Sequence, residues 1–494
     1  MIQDKAYDSD LTTLYRKSLH SGVLVFILNF IEKGLSLIRI FILARLLLPE
    51  HFGLIGICWL FISTVETFSQ TGFYQALIQK KGSVDDYFNT TWLIHFTRGI
   101  VLYILVYFSA PLIERFFNSS GSTEVLRILG LTLILSSVTN IGMIAYIKEI
   151  NFRKQFLLNL SGTIIDIAVS IILAFYLRNV WAFVWGHLAG TLIRASVSYI
   201  LHPFRPTFSL DWEKTKELLR FGKWVSLSTV LVFLITNGDD AFVGKFIGLS
   251  ALGLYQMAYR ISNMPATEIT HVISQITFPV YSALQDNLTK LRETYLKVLK
   301  ITAVLSIPIA GMIFILTPDL ILVFLGKKWI SITPLMQILC LFGALRALNA
   351  TTGSVFQAMA KPEILSKISF FQFIFIMITI FPFLNMFKLF GISLSVTLAN
   401  FLCFILAFKS VSHMTRTSLS HLIKILFPSL SVTAIIIIMI YTFKLLIFKN
   451  SPLYINFTFS VLIGLSIYLA FLKIIGFSFT RFISQVCTYN ESKE

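Results

Sequence analysis

The chain has 494 residues (56.1 kDa), is 56% hydrophobic and 13% charged, and has a mean hydropathy of +0.79. Soluble domains carry about 25% charged residues, so a soluble enzyme, a disordered chain and a disulfide scaffold are excluded. The formal charge of +17, from 41 Lys+Arg against 24 Asp+Glu, has no soluble domain to sit on and is first a matter of topology.

A helix crosses a bilayer with about 20 apolar residues. Charged and Gly/Pro-rich breaks divide this chain into fourteen predicted spans. They start near Ser21, Leu54, Phe88, Val125, Phe156, Trp181, Phe221, Leu252, Thr294, Thr333, Lys367, Leu389, Lys424 and Leu453. The segment Ile364–Phe408 admits a second division, so its span boundaries stay open. The runs are too long for the strands of a membrane barrel and lack their alternation. The first twenty residues are polar, and the apolar run after them carries Glu32 and Lys33 without a small-residue cleavage site. A cleavable signal is therefore not expected. Cys58, Cys340, Cys403 and Cys487 are isolated, without metal-ligand spacing, and read as packing residues.

Lys and Arg in short loops orient such a chain. With the N-terminus inside, 25 basic residues fall on cytoplasmic ends and loops, nine on the opposite face and seven within spans. Both termini are expected in the cytoplasm, and no nucleic acid is needed to account for the charge. An offset of 200 residues aligns Ser9 with Ser209, Gly22 with Gly222, Arg45 with Lys245, and Phe52-Gly53-Leu54 with Leu252-Gly253-Leu254. With slight drift, Ala110-Pro111-Leu112 meets Thr317-Pro318-Asp319 and Asn140 meets Asn349. Equivalent points lie an even number of spans apart, which predicts two parallel six-helix repeats. Each half opens with an amphipathic stretch, Ser9–His20 and Ser209–Gly222, expected to lie in the membrane interface. The predicted organisation is an N-terminal lobe, 1–208, a C-terminal lobe, 209–415, and an additional helix pair with a cytoplasmic tail, 416–494.

A charge at the bilayer centre costs about 2.5–3.5 kcal/mol on insertion scales, so such residues face a cavity or a partner. In the first span Asn29, Glu32, Lys33, Ser36 and Arg39 form one helical stripe. The second span carries Ser63, Glu66 and Gln70; the sixth His187, Thr191, Arg194 and Ser198. The eighth carries Gln256, Arg260, Asn263, Thr267, His271 and Ser274; the tenth Arg346, Asn349, Gly353 and Gln357. Stripes in both halves suit a shared aqueous cavity that opens alternately to each side. The thirteenth span, around Ala434–Ile440, has almost no polar face and is expected to meet lipid.

The candidate substrate contacts are Lys33, Arg39, Arg98, Arg260 and Arg346, with Asn29, Gln70 and Asn349; the candidate gating or ion-coupling acids are Glu32, Glu66, Asp239, Asp240 and Glu268. Plainer roles stand beside these. Arg194 and Arg260 can snorkel, and Lys444, near a span end, reads as a snorkelling lysine. Asp166 can pair with a neighbouring helix, and His95, His187 and His271 read as packing or polar-face residues. Gly186-His187-Leu188-Ala189-Gly190 is a helix-packing G-x-x-x-G. Arg39 and Asp239 occupy equivalent places in the two halves and are expected to pair as an outer gate. There is no H-E-x-x-H, no phosphate loop and no domain for an ATPase. No enzyme activity, cofactor or metal is expected.

Three runs carry a family resemblance: Ala44-Arg45-Leu46-Leu47-Leu48-Pro49-Glu50-His51-Phe52-Gly53-Leu54, Gly72-Phe73-Tyr74-Gln75-Ala76-Leu77-Ile78-Gln79-Lys80-Lys81, and Gly253-Leu254-Tyr255-Gln256-Met257-Ala258-Tyr259-Arg260-Ile261. With Leu218-Leu219-Arg220-Phe221-Gly222-Lys223-Trp224, the chain resembles the Wzx-type polysaccharide flippases over about residues 10–410. The branch it resembles is the colanic-acid exporter (WzxC-like) one, within the superfamily of MATE drug exporters and lipid II flippases. The resemblance implies a V-shaped pair of six-helix lobes in the bacterial inner membrane. It also implies a lipid-linked oligosaccharide on a polyprenyl diphosphate carrier as substrate, moved from the inner to the outer leaflet, with polysaccharide polymerase machinery as a partner. Cavity cations of the family would map onto Lys33, Arg39, Arg98, Arg260 and Arg346. The alternative drawn from the acids is a cation or drug antiporter.

Overall fold

The computed structural model describes residues 31–80, 83–148, 152–415, 417–446 and 451–476; Asn29 and the stretch Ser9–His20 lie outside them. No strand occurs among the described residues. In hydrocarbon a segment has no water for its peptide groups, so it closes its hydrogen bonds within itself as a helix.

The described residues begin with helix α1 (31–46), α2 (Pro49–Phe68) and a short α3 (Phe73–Gln79). Then come α4 (Phe88–Phe117), α5 (Ser122–Leu129), α6 (Leu131–Ser137), α7 (Met143–Lys148), α8 (Phe152–Leu177) and α9 (Trp181–Leu201). The remainder comprises α10 (Trp212–Phe246), α11 (Leu249–Ala283), α12 (Leu288–Leu320), α13 (Thr333–Ala358), α14 (Pro362–Thr415), α15 (Leu419–Leu446) and α16 (Leu453–Ile474). Eight segments among the described residues, containing α2, α4, α8, α12, α13, α14, α15 and α16, are long and apolar enough to cross a membrane. Helices α9, α10 and α11, of 21, 35 and 35 residues, are as long but carry more polar side chains.

Two expectations are refined. The open division of 364–408 falls at Lys388, where φ 53° and ψ −134° break α14 into two helices. The stretch Ser209–Gly222 is not a separate interfacial helix. From Trp212 it runs without a break into the following apolar segment as one helix of 35 residues, because the one glycine between them does not stop a helix.

The chain divides into two compact units, Met1–Gly253 and Leu254–Glu494. In the first, one apolar core joins α2, α4, α5 and α9 through Leu54, Ile62, Leu102, Val106, Leu126 and Val184. In the second, Tyr281, Tyr295, Leu299, Phe356 and Phe408 centre a core spanning α11 to α14. A smaller cluster there, with Val304, Ile436, Ile440 and Tyr468, joins α15 and α16 to α12. Within the first unit, α2 and the opening turn of α11 cross glycine on glycine. A Cβ on Gly53 would lie 1.8 Å from the Leu249 carbonyl oxygen, and one on Gly253 would lie 2.0 Å from that of Pro49.

Asp211 starts α10 by accepting bonds from the N–H groups of Glu213 (3.0 Å) and Lys214 (3.2 Å). This capping, chiefly the bond from Lys214, holds its carboxyl below the usual range. Two turns on, Glu217 accepts from Lys80 and from Tyr87 Oη (2.7 Å), which lowers the Glu217 pKa and raises that of Lys80. These bonds fasten the polar start of α10 to the loops beside α3 and α4.

Candidate functional site

The seven basic residues in the predicted spans are not equivalent. Arg39, on α1, points at α8: its Nη1 donates to Asp166 Oδ2 at 2.8 Å and its Nη2 to Ser170 Oγ at 2.9 Å. Ser170 in turn donates to Asp166 Oδ1 at 3.0 Å, and His187 of α9 brings Nδ1 to 3.8 Å from Asp166 Oδ2. The His187 ring meets Trp59 edge to face at 4.4 Å, and the Arg39 guanidinium lies 5.9 Å from the Phe183 ring centre. Low dielectric makes an unpaired charge expensive, and in this cluster the guanidinium and the carboxylate meet, although Arg39 Nε is buried without a hydrogen-bond partner among the described residues. Its elements meet closely because α9 presents glycines. A Cβ on Gly186 would lie 1.9 Å from Ser170 Oγ, and one on Gly190 would lie 2.6 Å from the Gly162 carbonyl oxygen. The outer gate expected between Arg39 and Asp239 is therefore corrected: the partner of Arg39 is Asp166. Two turns earlier on α1, Glu32 Oε1 accepts from Thr163 Oγ1 at 3.4 Å, and Lys33 beside it is exposed.

Glu66, Gln70 and Arg98 are brought together in a cavity of about 390 Å³ in the first unit, between α2, α3, α4 and α10. Thr67, Tyr74, Gln75 and His95 complete much of its lining. Arg98 is tied down: Nη2 donates to the Glu66 carbonyl oxygen (2.7 Å) and to Ser69 Oγ (2.9 Å), and Nε also reaches Ser69 Oγ (3.2 Å). It therefore braces the C-terminal end of α2, where carbonyls lack helical partners. A neighbouring cavity of about 210 Å³ shares Tyr74 and His95 and is lined by Trp92, Ser136, Asn140 and Gln155.

In the second unit, Arg346 Nη1 donates to Tyr259 Oη at 3.3 Å, and Arg260, the next residue of α11, is exposed. Asn349, one turn on from Arg346, donates to the Asn400 carbonyl at 3.2 Å and so binds α13 to α14. Glu268, two turns beyond Arg260, is half-buried. On α10 in the first unit, Asp239 is buried and Asp240, half-buried, donates its N–H to Asp239 Oδ1 at 3.0 Å. Lys444 forms an ion pair with Asp319 that links α15 to α12. Sequence reasoning missed Asp319, Ser170 and the polar pocket residues Tyr74, Gln75 and Gln155. Only the predicted span ends near Asp319 and Lys444 carried a signal for that pair. Among the described residues no group of three or more His, Cys, Asp or Glu could hold a metal ion.

A family model described as "Polysaccharide biosynthesis protein" matches residues 42–334. The chain belongs to this family. It is 25% identical over 350 residues to the lipopolysaccharide biosynthesis protein WzxC of Escherichia coli K12, covering 69% of this chain and 70% of WzxC. The teichuronic acid biosynthesis protein TuaB of Bacillus subtilis 168 is 24% identical over 298 residues, 59% of this chain and 61% of TuaB. Among solved structures, the lipid II flippase MurJ in an inward closed conformation is similar with a TM-score of 0.71 at 18% identity, over 92% of this chain and 98% of that one. An inward-facing multidrug resistance MATE transporter of the MOP superfamily is similar with a TM-score of 0.64 at 17% identity, over 78% and 94%. The fold is that of these transporters, and with eight apolar helices among the described residues this family member is a multi-pass membrane protein.

Proposed function

We propose that this family member is a flippase. It moves oligosaccharide repeat units linked to a polyprenyl diphosphate from the inner to the outer leaflet of the bacterial cytoplasmic membrane, for a capsule, O-antigen or colanic-acid-like surface polysaccharide. The observation that carries the reading is the family match over residues 42–334. The chemistry of the spans agrees with it. A diphosphate needs positive charge in a low-dielectric setting, and a guanidinium fits phosphate oxygens with its planar fork. Arg39 is committed to Asp166, and Arg98 to Ser69 and the end of α2. The proposed diphosphate contacts are Lys33, Arg260 and Arg346, which lie on the polar stripes of their helices, with Asn29 and Asn349 as polar neighbours. Glu32, Glu66, Asp239, Asp240 and Glu268 are the proposed gating or coupling acids. No bond is made or broken, so the protein is a transporter and not an enzyme. The antiporter reading shares the fold but not the family.

The proposal includes fourteen spans arranged as two six-helix lobes in a V shape, 1–208 and 209–415, with the further pair 416–494 and both termini in the cytoplasm. Polymerase machinery is the proposed recipient of the flipped unit. Deleting the gene is expected to leave one lipid-linked glycan trapped in the inner leaflet; unchanged glycan pools would overturn the reading. Moving one charge across 100 mV is worth about 2.3 kcal/mol, so an inside-negative potential aids export of a two-fold anion by about 5 kcal/mol. Flipping in liposomes should accelerate with that potential and slow when it is reversed. A rate indifferent to its sign and size would remove the potential as a driving force.

A further inference from the structure

In the first unit, the carboxylate of Asp166 has more candidate partners than places for them. Its Oδ1 is taken by Ser170 Oγ at 3.0 Å. Its Oδ2 is approached from two helices, by Arg39 Nη1 of α1 at 2.8 Å and by His187 Nδ1 of α9 at 3.8 Å. The first approach is a charge-assisted hydrogen bond; the second is too long for one. His187 need close only the difference between those distances to take the place that Arg39 holds. The hold on Arg39 is itself incomplete: Nη2 reaches Ser170 Oγ at 2.9 Å, but Nε has no partner among the described residues. The Arg39 and His187 side chains keep 20% and 24% of their surface, against 10% for Asp166, so the two bases meet solvent while the acid stays inside.

The surrounding charges set how many cations this carboxylate tolerates. Those acting on His187 are Asp166 of α8, Arg39 of α1 and Arg194 of its own helix. Arg194 lies against Gly162, one turn from Asp166 on α8, and its Nε donates to the Gly190 carbonyl at 3.3 Å. From α2 the ring meets the uncharged Trp59. On α5, Arg127 is turned to the Tyr107 carbonyl and ring, and Glu124 is exposed; α6 carries no charged residue. With a neutral imidazole the cluster holds two cations and one anion. Protonating His187 while Arg39 stays in place would add a third cation at low dielectric, which is unfavourable. Withdrawing Arg39 while His187 stays neutral would leave a buried carboxylate unpaired, which is strongly destabilising. When both happen together, the charge of the cluster is unchanged and Asp166 keeps a cationic partner.

We infer that Arg39 and His187 alternate at Asp166: the diphosphate of the lipid-linked unit draws the Arg39 guanidinium off the carboxylate, and His187, taking one proton from solution, replaces it. The inference rests on the flippase reading and deepens it, adding Arg39 as a contact made only in the loaded state. A guanidinium fits phosphate oxygens as it fits a carboxylate, and Arg39 lies on the same stripe of α1 as the proposed contact Lys33. His187 does not touch the lipid; it acts through Asp166, as a positioning residue. Imidazole suits the task because it changes charge near neutral pH. A permanent cation in its place would hold the carboxylate at all times, and Arg39 would not be recaptured when the lipid leaves.

The test uses the full chain in nanodiscs and the undecaprenyl-diphosphate-linked glycan extracted from a strain lacking this gene. Both phosphates of that probe are esterified, so its charge is constant near neutral pH and any pH dependence belongs to the protein. One proton taken up per lipid bound tightens Kd by up to about tenfold for each unit the pH falls. The wild type is expected to bind at least about tenfold more tightly at about pH 6 than at about pH 8, and a dye in weak buffer to report about one proton taken up per lipid. His187→Gln is expected to bind at both pH values as the wild type does at the higher one, and to take up no proton. A merely structural histidine would lower the affinity at both and leave the pH dependence in place. The double variant Arg39→Met with Asp166→Leu removes both ends of the contact; it should lose the dependence too, and it serves if His187→Gln does not fold. A pH dependence that survives either variant, or wild-type binding indifferent to pH, overturns the alternation while leaving the flippase standing. A wild-type chain that binds this lipid at neither pH overturns the flippase reading itself.

Discussion

Helices α8 and α9 of the first unit meet around a carboxylate, a guanidinium and an imidazole, whereas the two halves of α14 in the second unit meet through hydroxyls and apolar side chains. In the first pair Asp166 accepts from Arg39 and Ser170, with His187 at 3.8 Å. In the second, Thr379 and Ser395 share a hydroxyl contact at 2.6 Å among buried Ile376, Ile380, Ile392 and Val396. The two pairs correspond along the chain. Each turns at a basic residue with positive φ, Arg178 at 51° and Lys388 at 53°, separated by 388 − 178 = 210 residues. A helix hairpin of this kind is thus held together in the second unit without any charge. The ion pair of the first unit is not a packing requirement, and a buried ion pair is in any case weak evidence of stability, because desolvation offsets its attraction.

The comparison breaks most readily at the ion pair. Asp166→Leu or Arg39→Met alone should destabilise the protein by about 3–5 kcal/mol, since each leaves a charge buried without its partner. The double substitution should recover most of that loss and still impair transport. In the second unit Thr379→Val should cost no more than about 0.5–1.5 kcal/mol. Thermal unfolding of the purified variants in detergent measures all four. If the double variant is no more stable than the singles, the cluster is part of the packing and the contrast between the two hairpins fails.

A smaller effect separates close from ordinary helix contact. Gly186→Ala would drive a Cβ to 1.9 Å from Ser170 Oγ and 2.9 Å from the Asp166 carbonyl oxygen. The expected loss is about 1–3 kcal/mol, toward the upper end because a backbone atom cannot yield as a side-chain tip does. At Gly353 of α13 the nearest atom to a Cβ is Leu365 Cδ1 at 3.9 Å, an ordinary contact. Gly353→Ala should be neutral or stabilising, as expected for a glycine inside a helix. Equal losses at the two positions would show that α9 has room that the glycines do not account for.

Periodicity and composition made the helices, the polar stripes and the G-x-x-x-G face legible, because each depends on residues within a few turns of one another. Asn140 and Asn349, aligned by offset alone, even act alike. Asn140 donates to the carbonyls of His202 (3.2 Å) and Phe204 (2.9 Å) just beyond α9, and Asn349 to the Asn400 carbonyl in α14. Partners across helices were not legible. Arg39 meets Asp166 at a separation of 127 residues, and nothing local distinguishes that acid from Asp239. Lys444 sits where a lysine can snorkel, and only the fold sets Asp319 beside it. The paired cavities were missed for the same reason. Tyr74, Gln75, His95 and Gln155 belong to three helices and form no stripe, so their meeting is a property of the packed unit.

The smallest effect concerns the turn of the second hairpin. At φ 53° and ψ −134°, Lys388 occupies backbone space that glycine enters freely and a residue with a Cβ enters at a cost of about 1–3 kcal/mol. Glycine also loses more conformational freedom on folding, about 0.5–1 kcal/mol, so Lys388→Gly should stabilise by about 1 kcal/mol net. Lys388→Ala is the control: it removes the charge and the long side chain but keeps the Cβ, so the strain stays and no gain is expected. A higher melting temperature for the glycine variant but not the alanine one would mean that the uncharged hairpin carries its strain at the turn, while the charged hairpin carries its cost in the interior. Were glycine and alanine to behave alike, the backbone at Lys388 would not be strained, and the second hairpin would hold its halves by apolar contact and the Thr379–Ser395 bond alone.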